Sequence, residues 1–234
     1  MNDFNADGPS ENEWEEQGEL GWNEFDWEKY LREQDEAISR YLAFYEKLKG
    51  HSERIDETAR LMGWEEGDWS ADAEDEPAET DLPGSEATTG GQPADYENLE
   101  PYTLHKNPVF IATKAIYLSL ARSWSEIAVD AARVPQPLAL AFQVALHRGE
   151  EQSGLAIQAL DLGDYAMAVS LFKRALRELN ASLALIDDAA AARHPALGAF
   201  RDSAWPRLFD LREIWLRVIN ECRDELARHI DEEN

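Results

Sequence analysis

The chain has 234 residues, enough for one large domain or two small ones, and a formal net charge of −26. Residues 1–104 hold 30 Asp and Glu against 7 Lys and Arg, a net of −23, whereas residues 105–234 hold 18 against 15, a net of −3. So acidic a front is repelled by phosphate backbones and by anionic lipid, which argues against nucleic acid and membrane as partners. No run approaches the ~18 apolar residues of a membrane span. The opening residues lack the basic and apolar regions of a secretory leader. The single cysteine, Cys222, cannot form an internal disulfide. These features fit a cytoplasmic, reducing setting.

Residues 1–22 are acidic and without periodicity, which predicts a disordered acidic arm, although Trp14 and Trp22 stand in it. From about Asn23 the pattern is helical. Phe25, Trp27, Tyr30, Leu31, Ala37, Ile38, Tyr41, Leu42, Tyr45 and Leu48 lie near one face, and Gly50 is the expected terminator. A shorter helix follows over about 52–62, with Ser52 as its cap and Ile55, Ala59 and Met62 inward, completing an N-terminal helical hairpin over 23–62. Periodicity then vanishes. Residues 63–104 read as an acidic linker or long loop, because 71–92 are rich in Asp, Glu, Pro, Gly, Ser and Thr. That stretch is also the expected boundary of a helical-bundle domain over 105–234.

In the bundle, Asn107 and Pro108 make a cap followed by proline at the first helical position. The helix is expected to reach Val134, with Phe110, Ile116, Tyr117, Leu120, Trp124, Ile127 and Ala131 inward. Pro135 and Pro137 break it and start the next, which carries Leu138, Phe142, Ala145, Leu155, Ala156 and Ala159. Gly149 and Gly154 weaken that helix by about 1 kcal/mol each relative to Ala and leave room for a bend near Gly149. Beyond the turn at 160–165, Tyr165, Ala168, Val169, Phe172, Ala175, Leu176, Leu179, Leu183 and Ile186 form one apolar stripe, with Lys173, Arg174 and Arg177 opposite. Pro195 opens a short helical segment, and Pro206 is expected to kink or restart the chain. The final helix sets Leu208, Phe209, Trp215, Val218, Ile219, Cys222, Leu226 and Ile230 near heptad spacing; Trp215, Ile219, Cys222 and Leu226 make a candidate seam for a homodimer, and a core face explains them equally well. No strand pattern occurs, so the expected fold class is all-α, a bundle of about six or seven helices.

Gly163-Asp164-Tyr165 followed by Ala168, Phe172 and Ala175, with Leu155 and Ala156 before them, resembles a tetratricopeptide repeat over residues 149–179. The resemblance implies a helical hairpin and a peptide-binding role. Ala159 stands where that repeat has an aromatic, Asn180 stands where it has a proline, and there is no second copy at a period near 34 residues.

Chemistry-bearing residues are sparse. Glu126 and Asp130 lie four apart on one helix and His147 and Glu151 four apart on the next, an arrangement that in facing helices can hold a metal. The Glu-x-x-His pairs of di-iron bundles are missing, however, and solvated outer faces explain all four. Ser123 and Ser125 have no nucleophile elbow around them, and no glycine-rich phosphate loop exists. We therefore assign no catalytic residue and no cofactor. Two stretches set indoles among carboxylates: Trp22-Asn23-Glu24-Phe25-Asp26-Trp27, and Gly63-Trp64-Glu65-Glu66-Gly67-Asp68-Trp69. Exposed, they would anchor in apolar pockets of a partner protein with a basic surface. Folded, they would cap the bundle. The candidate binding residues are Trp14, Trp22, Trp27, Trp64, Trp69 and Trp215. The sequence thus points to a non-enzymatic protein-protein interaction or scaffold protein, self-associating or not. A metal-binding bundle enzyme using Glu126, Asp130, His147 and Glu151 is the alternative, and a small-molecule pocket lined by Tyr117, Trp124 and Phe172 is a third.

Overall fold

A computed structural model describes residues 22–64, 104, 106–187 and 195–232. Six helices are present among them, and no strand: α1 (Glu24–Lys47), α2 (Arg54–Met62), α3 (Pro108–Ala128), α4 (Gln136–Asp161), α5 (Tyr165–Asp187) and α6 (Pro195–Glu232). The all-α class follows the hydrophobic periodicity. The expected arm over 1–21, the acidic stretch over 65–103 and residues 188–194 lie outside the described residues. None of the described helices is long and apolar enough to cross a membrane.

Local chemistry sets most helix ends. Asn23 caps α1 by accepting from the amides of Phe25 and Asp26, and Asp26 returns a bond from the Asn23 amide at 3.0 Å, a capping box. Asn107 caps α3 through the Phe110 amide at 3.0 Å, with Pro108 next to it as expected. Between α4 and α5, Gly163 takes φ +73°, a left-handed conformation that a side chain would strain. Asp164 then caps α5 through the Met167 amide at 2.9 Å.

Four sequence expectations change. Helix α1 ends at Lys47 rather than at Gly50. Ser52 does not cap α2, which begins at Arg54 behind Glu53, without a side-chain cap bond. Helix α3 stops at Ala128, six residues short of Val134, because the Asp130 carboxylate accepts from the Ala132 amide and its carbonyl from Arg133 and Val134, closing a turn. Ala131 is therefore exposed. Pro206 does not restart the chain, and α6 runs through it. A mid-helix proline costs about 3 kcal/mol, but Phe200, Ala204, Leu208 and Leu211 on either side are all buried, and their packing carries the helix across. Pro206 itself is exposed, so the Asp202 carbonyl it leaves unpaired lies on the solvent side.

The core is a contiguous apolar cluster to which all six helices contribute. Helices α4 and α5 pack most extensively, through Ala156, Ala168, Phe172 and Ala175, each fully buried. Helix α6 lies against α5 and α3. Two aromatic groups knit these layers. Trp124 of α3, Phe142 of α4 and Phe200 of α6 meet with centroids 4.4 to 5.5 Å apart. Trp215 of α6 faces Tyr117 of α3 at 6.1 Å and Phe172 of α5 at 6.2 Å. Leu155, expected inward, is instead 43% exposed.

Gly149 shows why α4 carries a glycine inside the helix. A Cβ built there would sit 2.5 Å from the hydroxyl oxygen of Tyr117, which is itself buried, whereas one at Gly154 would meet nothing within 4 Å. Gly149→Ala should destabilise by about 1–3 kcal/mol through overpacking, despite the better helix former. Gly154→Ala should be neutral or stabilising by up to about 1 kcal/mol. Urea denaturation of the pair checks the contrast. In the same assay Phe172→Ala should cost about 3–5 kcal/mol.

Candidate interaction surface

The apolar stripe of α1 is continuous, but its cover is not. Trp27, Leu31, Ile38, Tyr41 and Tyr45 recur at steps of four, seven, three and four residues, hence on one face. Ile38, Tyr41 and Tyr45 are buried where α1 packs on α3. About two and three turns nearer the N-terminus, Leu31 remains 47% and Trp27 43% exposed. The capping box closes this end of the helix. Trp22 and Trp27 meet edge-on at 4.9 Å and cover Tyr30 at 5.5 and 5.8 Å, so that Tyr30 is buried. Phe25, on the other side of the helix, is 75% exposed. Residues 24–36 carry six carboxylates against Lys29 and Arg32. Arg32 pairs with Glu28 at 2.8 Å and Lys29 with Glu33 at 3.8 Å, both on the surface. The result is a half-exposed aromatic tip in a field of negative charge.

The other sequence candidates scatter. Trp64 is half-buried and stacks on Tyr41 at 5.6 Å, which ties it to the hairpin core. Trp215 is fully buried and donates from Nε1 to the Thr113 hydroxyl at 3.2 Å. Ile219 and Cys222 are also buried, so these three residues of the candidate seam belong to the core, while Leu226 is half-buried. Trp14 and Trp69 lie outside the described residues. Glu126, Asp130, His147 and Glu151 are all exposed, and Asp130 is engaged in its turn and with Arg133. Among the described residues no three His, Cys, Asp or Glu side chains come together as a metal site would require. His147 and Glu151 instead border a shallow groove of about 340 Å³ between α3 and α4, with Phe110, Leu155 and the Lys114–Glu150 pair. Tyr117, Trp124 and Phe172 are packed core residues with at most 3% exposure, so they line no pocket.

Sequence reasoning missed a polar seam that joins α1 and α2 to α6. Glu46 accepts from Arg207 Nη2 at 2.8 and 2.9 Å and from the Ser119 hydroxyl at 2.8 Å. Asp210 accepts from the Tyr45 hydroxyl at 2.5 Å and from Arg54, whose guanidinium lies 4.8 Å over the Tyr45 ring. Asp56 takes a two-pronged contact from Arg217 at 2.5 and 3.2 Å. Burial pushes the Tyr41 and Tyr45 hydroxyls far above their ordinary range, with the Asp210 charge adding to it, so both stay protonated. These partners are 73 to 165 residues apart in sequence, which no local spacing reports. The one available signal was a charge on an otherwise inward stripe, as Arg54 is beside Ile55, and Asp210 between Leu208 and Leu211.

Searches against protein-family models, characterised proteins and solved structures find no match to this chain.

Burial pushes the Glu46 carboxyl up, but the bonds from Arg207 and Ser119 and the Arg207 charge outweigh it and hold the group below its ordinary value of 4.5. A carboxyl depressed in the folded state contributes stability above its unfolded pKa and loses it as pH falls through the folded one. Acidification below about pH 4.5 should therefore loosen the α1–α6 contact, and Glu46→Gln should remove that part of the pH dependence while lowering stability at neutral pH. Thermal melts of both proteins from pH 7 to pH 3.5 test this. Parallel pH profiles would refute it.

Proposed function

We propose that this protein is a non-enzymatic helical interaction protein that binds a partner through the aromatic tip of α1. The observation that carries the reading is the half-exposure of Trp27 and Leu31 on a stripe that is buried further along the same helix. Aromatic side chains packed together beforehand lose little entropy on binding and supply most hot-spot energy. The six carboxylates of residues 24–36 select a partner whose surface is basic, and they steer its approach. Two copies meeting tip to tip would bring like charges together, so a different, basic protein suits the tip better than a second copy. A cytoplasmic setting accords with the single, buried cysteine.

The likeness of α4 and α5 to a tetratricopeptide hairpin supports the same class of function by a second route. Ala156, Ala168, Phe172 and Ala175 are buried where that motif has its packing positions. Leu155 faces outward into the α3–α4 groove, where it would serve a bound peptide rather than the core.

The test is an affinity capture from the native cell with the full chain, compared quantitatively with a Trp27→Ala/Leu31→Ala variant. Both residues are half exposed, so the variant should keep its helix content and melt close to the parent. A basic protein should be recovered at least tenfold less well by the variant, as expected when a hot spot worth about 2 kcal/mol or more is removed, and its capture should fall with added salt. Equal recovery of every protein by both chains would refute the reading.

A further inference from the structure

Helix α4 is buried on two sides, against α3 where Gly149 meets Tyr117 and against α5 where Ala156 packs. Its third side has no cover among the described residues. Leu140, Val144, Arg148, Glu151, Leu155 and Leu162 follow one another at steps of four, four, three, four and seven residues. That spacing keeps them on one face over about six turns, with Leu162 at the C-cap. All six are exposed, Leu140 to 67% and Leu162 to 83%. The face is apolar at both ends and carries one charge of each sign in the middle.

Those two charges are idle within the chain. Among the described residues neither the Arg148 nor the Glu151 side chain makes a hydrogen bond or an ion pair. A cation that precedes its acid is the poorer order for a pair within one helix. One charge of each sign selects neither a basic nor an acidic partner, and a lipid surface would set the Glu151 carboxylate against anionic headgroups. The pattern instead matches itself run backwards. When a second α4 lies antiparallel along the first, Arg148 of each copy faces Glu151 of the other. In the same register Val144 of each copy faces Leu155 of the other, and Leu140 comes near Leu162.

From this self-complementarity we propose that two copies of the chain form a two-fold dimer through the outer face of α4. Leu140, Val144, Leu155 and Leu162 supply its apolar area, around two reciprocal Arg148–Glu151 pairs. A contact in which both copies use the same face closes on itself, so it stops at two. The acidity of the chain does not oppose it strongly, because −23 of the −26 lies in residues 1–104, while residues 105–234, which include α4, carry only −3. The peptide that Leu155 meets is then a helix presented by a second copy. The tip of α1 takes no part, so binding there and dimerisation through α4 hold or fail separately.

Sedimentation equilibrium of the full chain over micromolar concentrations decides it. The parent chain should approach twice its 26.5 kDa as concentration rises. Arg148→Glu sets acid against acid across the contact and Glu151→Arg sets cation against cation, so each should weaken the dimer by roughly tenfold or more. Both positions are exposed, so each variant should keep the helix content of the parent by circular dichroism. Two further mixtures read the pairing itself. Equal amounts of the two single variants should form a mixed dimer, because every facing pair is then opposite in sign. The double variant Arg148→Glu/Glu151→Arg should recover association with itself. A parent chain that stays monomeric, single variants that associate as the parent does, or no recovery in either the mixture or the double variant would overturn the proposal.

Discussion

Trp215 has no solvent exposure, donates its only polar hydrogen to Thr113, and is faced by Tyr117 from one helix and by Phe172 from another. A buried indole whose N–H is satisfied supplies a large apolar area with no polar penalty. Its position dictates its neighbours. Tyr117 can lie beside the indole only by extending its hydroxyl to within 2.5 Å of where a side chain would begin at residue 149. A glycine in α4 is thus a consequence of a tryptophan in α6. The register of α3 against α4 and of α5 against α6 follows from one aromatic stack, and the alanines of α4 and α5 let their helices come close enough to complete it.

Outside that stack the chemistry changes from apolar to ionic. The arginines of α6 that meet the hairpin, Arg207 and Arg217, are answered by Glu46 and Asp56, and Asp210, an inward-facing acid of α6, is answered by Arg54. Each pair is of opposite sign, so the hairpin is keyed to its place by charge. Ion pairs at a partly wet seam specify orientation more effectively than they add stability. Keying by charge gives the hairpin a defined docked position, with Arg54 and Asp210 largely buried beside the apolar contact of Ile38, Tyr41, Tyr45, Ile55 and Ala59.

Helices were legible in the sequence because their signals are local. The stripe of α5, the Asn107 cap and the Gly163 turn depend on residues at most a few positions apart, and each is found where periodicity places it. The misplaced ends have local explanations as well, but ones that compete: Asp130 can continue a helix or close a turn, and Pro206 can break a helix or be carried through by its neighbours' burial. The face of Trp27 was legible, since the period gives it. Its exposure was not, because exposure depends on where α3 lies beside α1, a matter of tertiary packing. The α6 stripe was ambiguous for the same reason. Near-heptad spacing describes an apolar face equally well whether it meets a second chain or the rest of its own. The seam of Glu46, Arg54, Asp56, Arg207, Asp210 and Arg217 was the least legible, since its partners are brought together only by the completed fold.

The charge asymmetry takes on a structural meaning in this arrangement. Of the acids in residues 22–64, Glu46 and Asp56 face arginines of α6, while those of residues 24–36 face solvent around the aromatic tip. The acids that no arginine of α6 meets include those at the end of α1 that extends beyond its cover, where Glu28 and Glu33 pair only locally with Arg32 and Lys29. Self-repulsion among six carboxylates within thirteen residues is relieved most directly by an incoming cationic surface, and only partly by Lys29 and Arg32. The capping box engages Asn23 and Asp26, and the helix dipole favours Glu24 and Asp26 in the first turn even before a partner arrives. Negative charge at this end is then compatible with the helix and unfavourable only to itself. The apolar stripe that α3 leaves half covered and the charge that the bundle leaves unbalanced coincide on the same two turns of α1, and a basic surface bearing an apolar pocket would satisfy both at once.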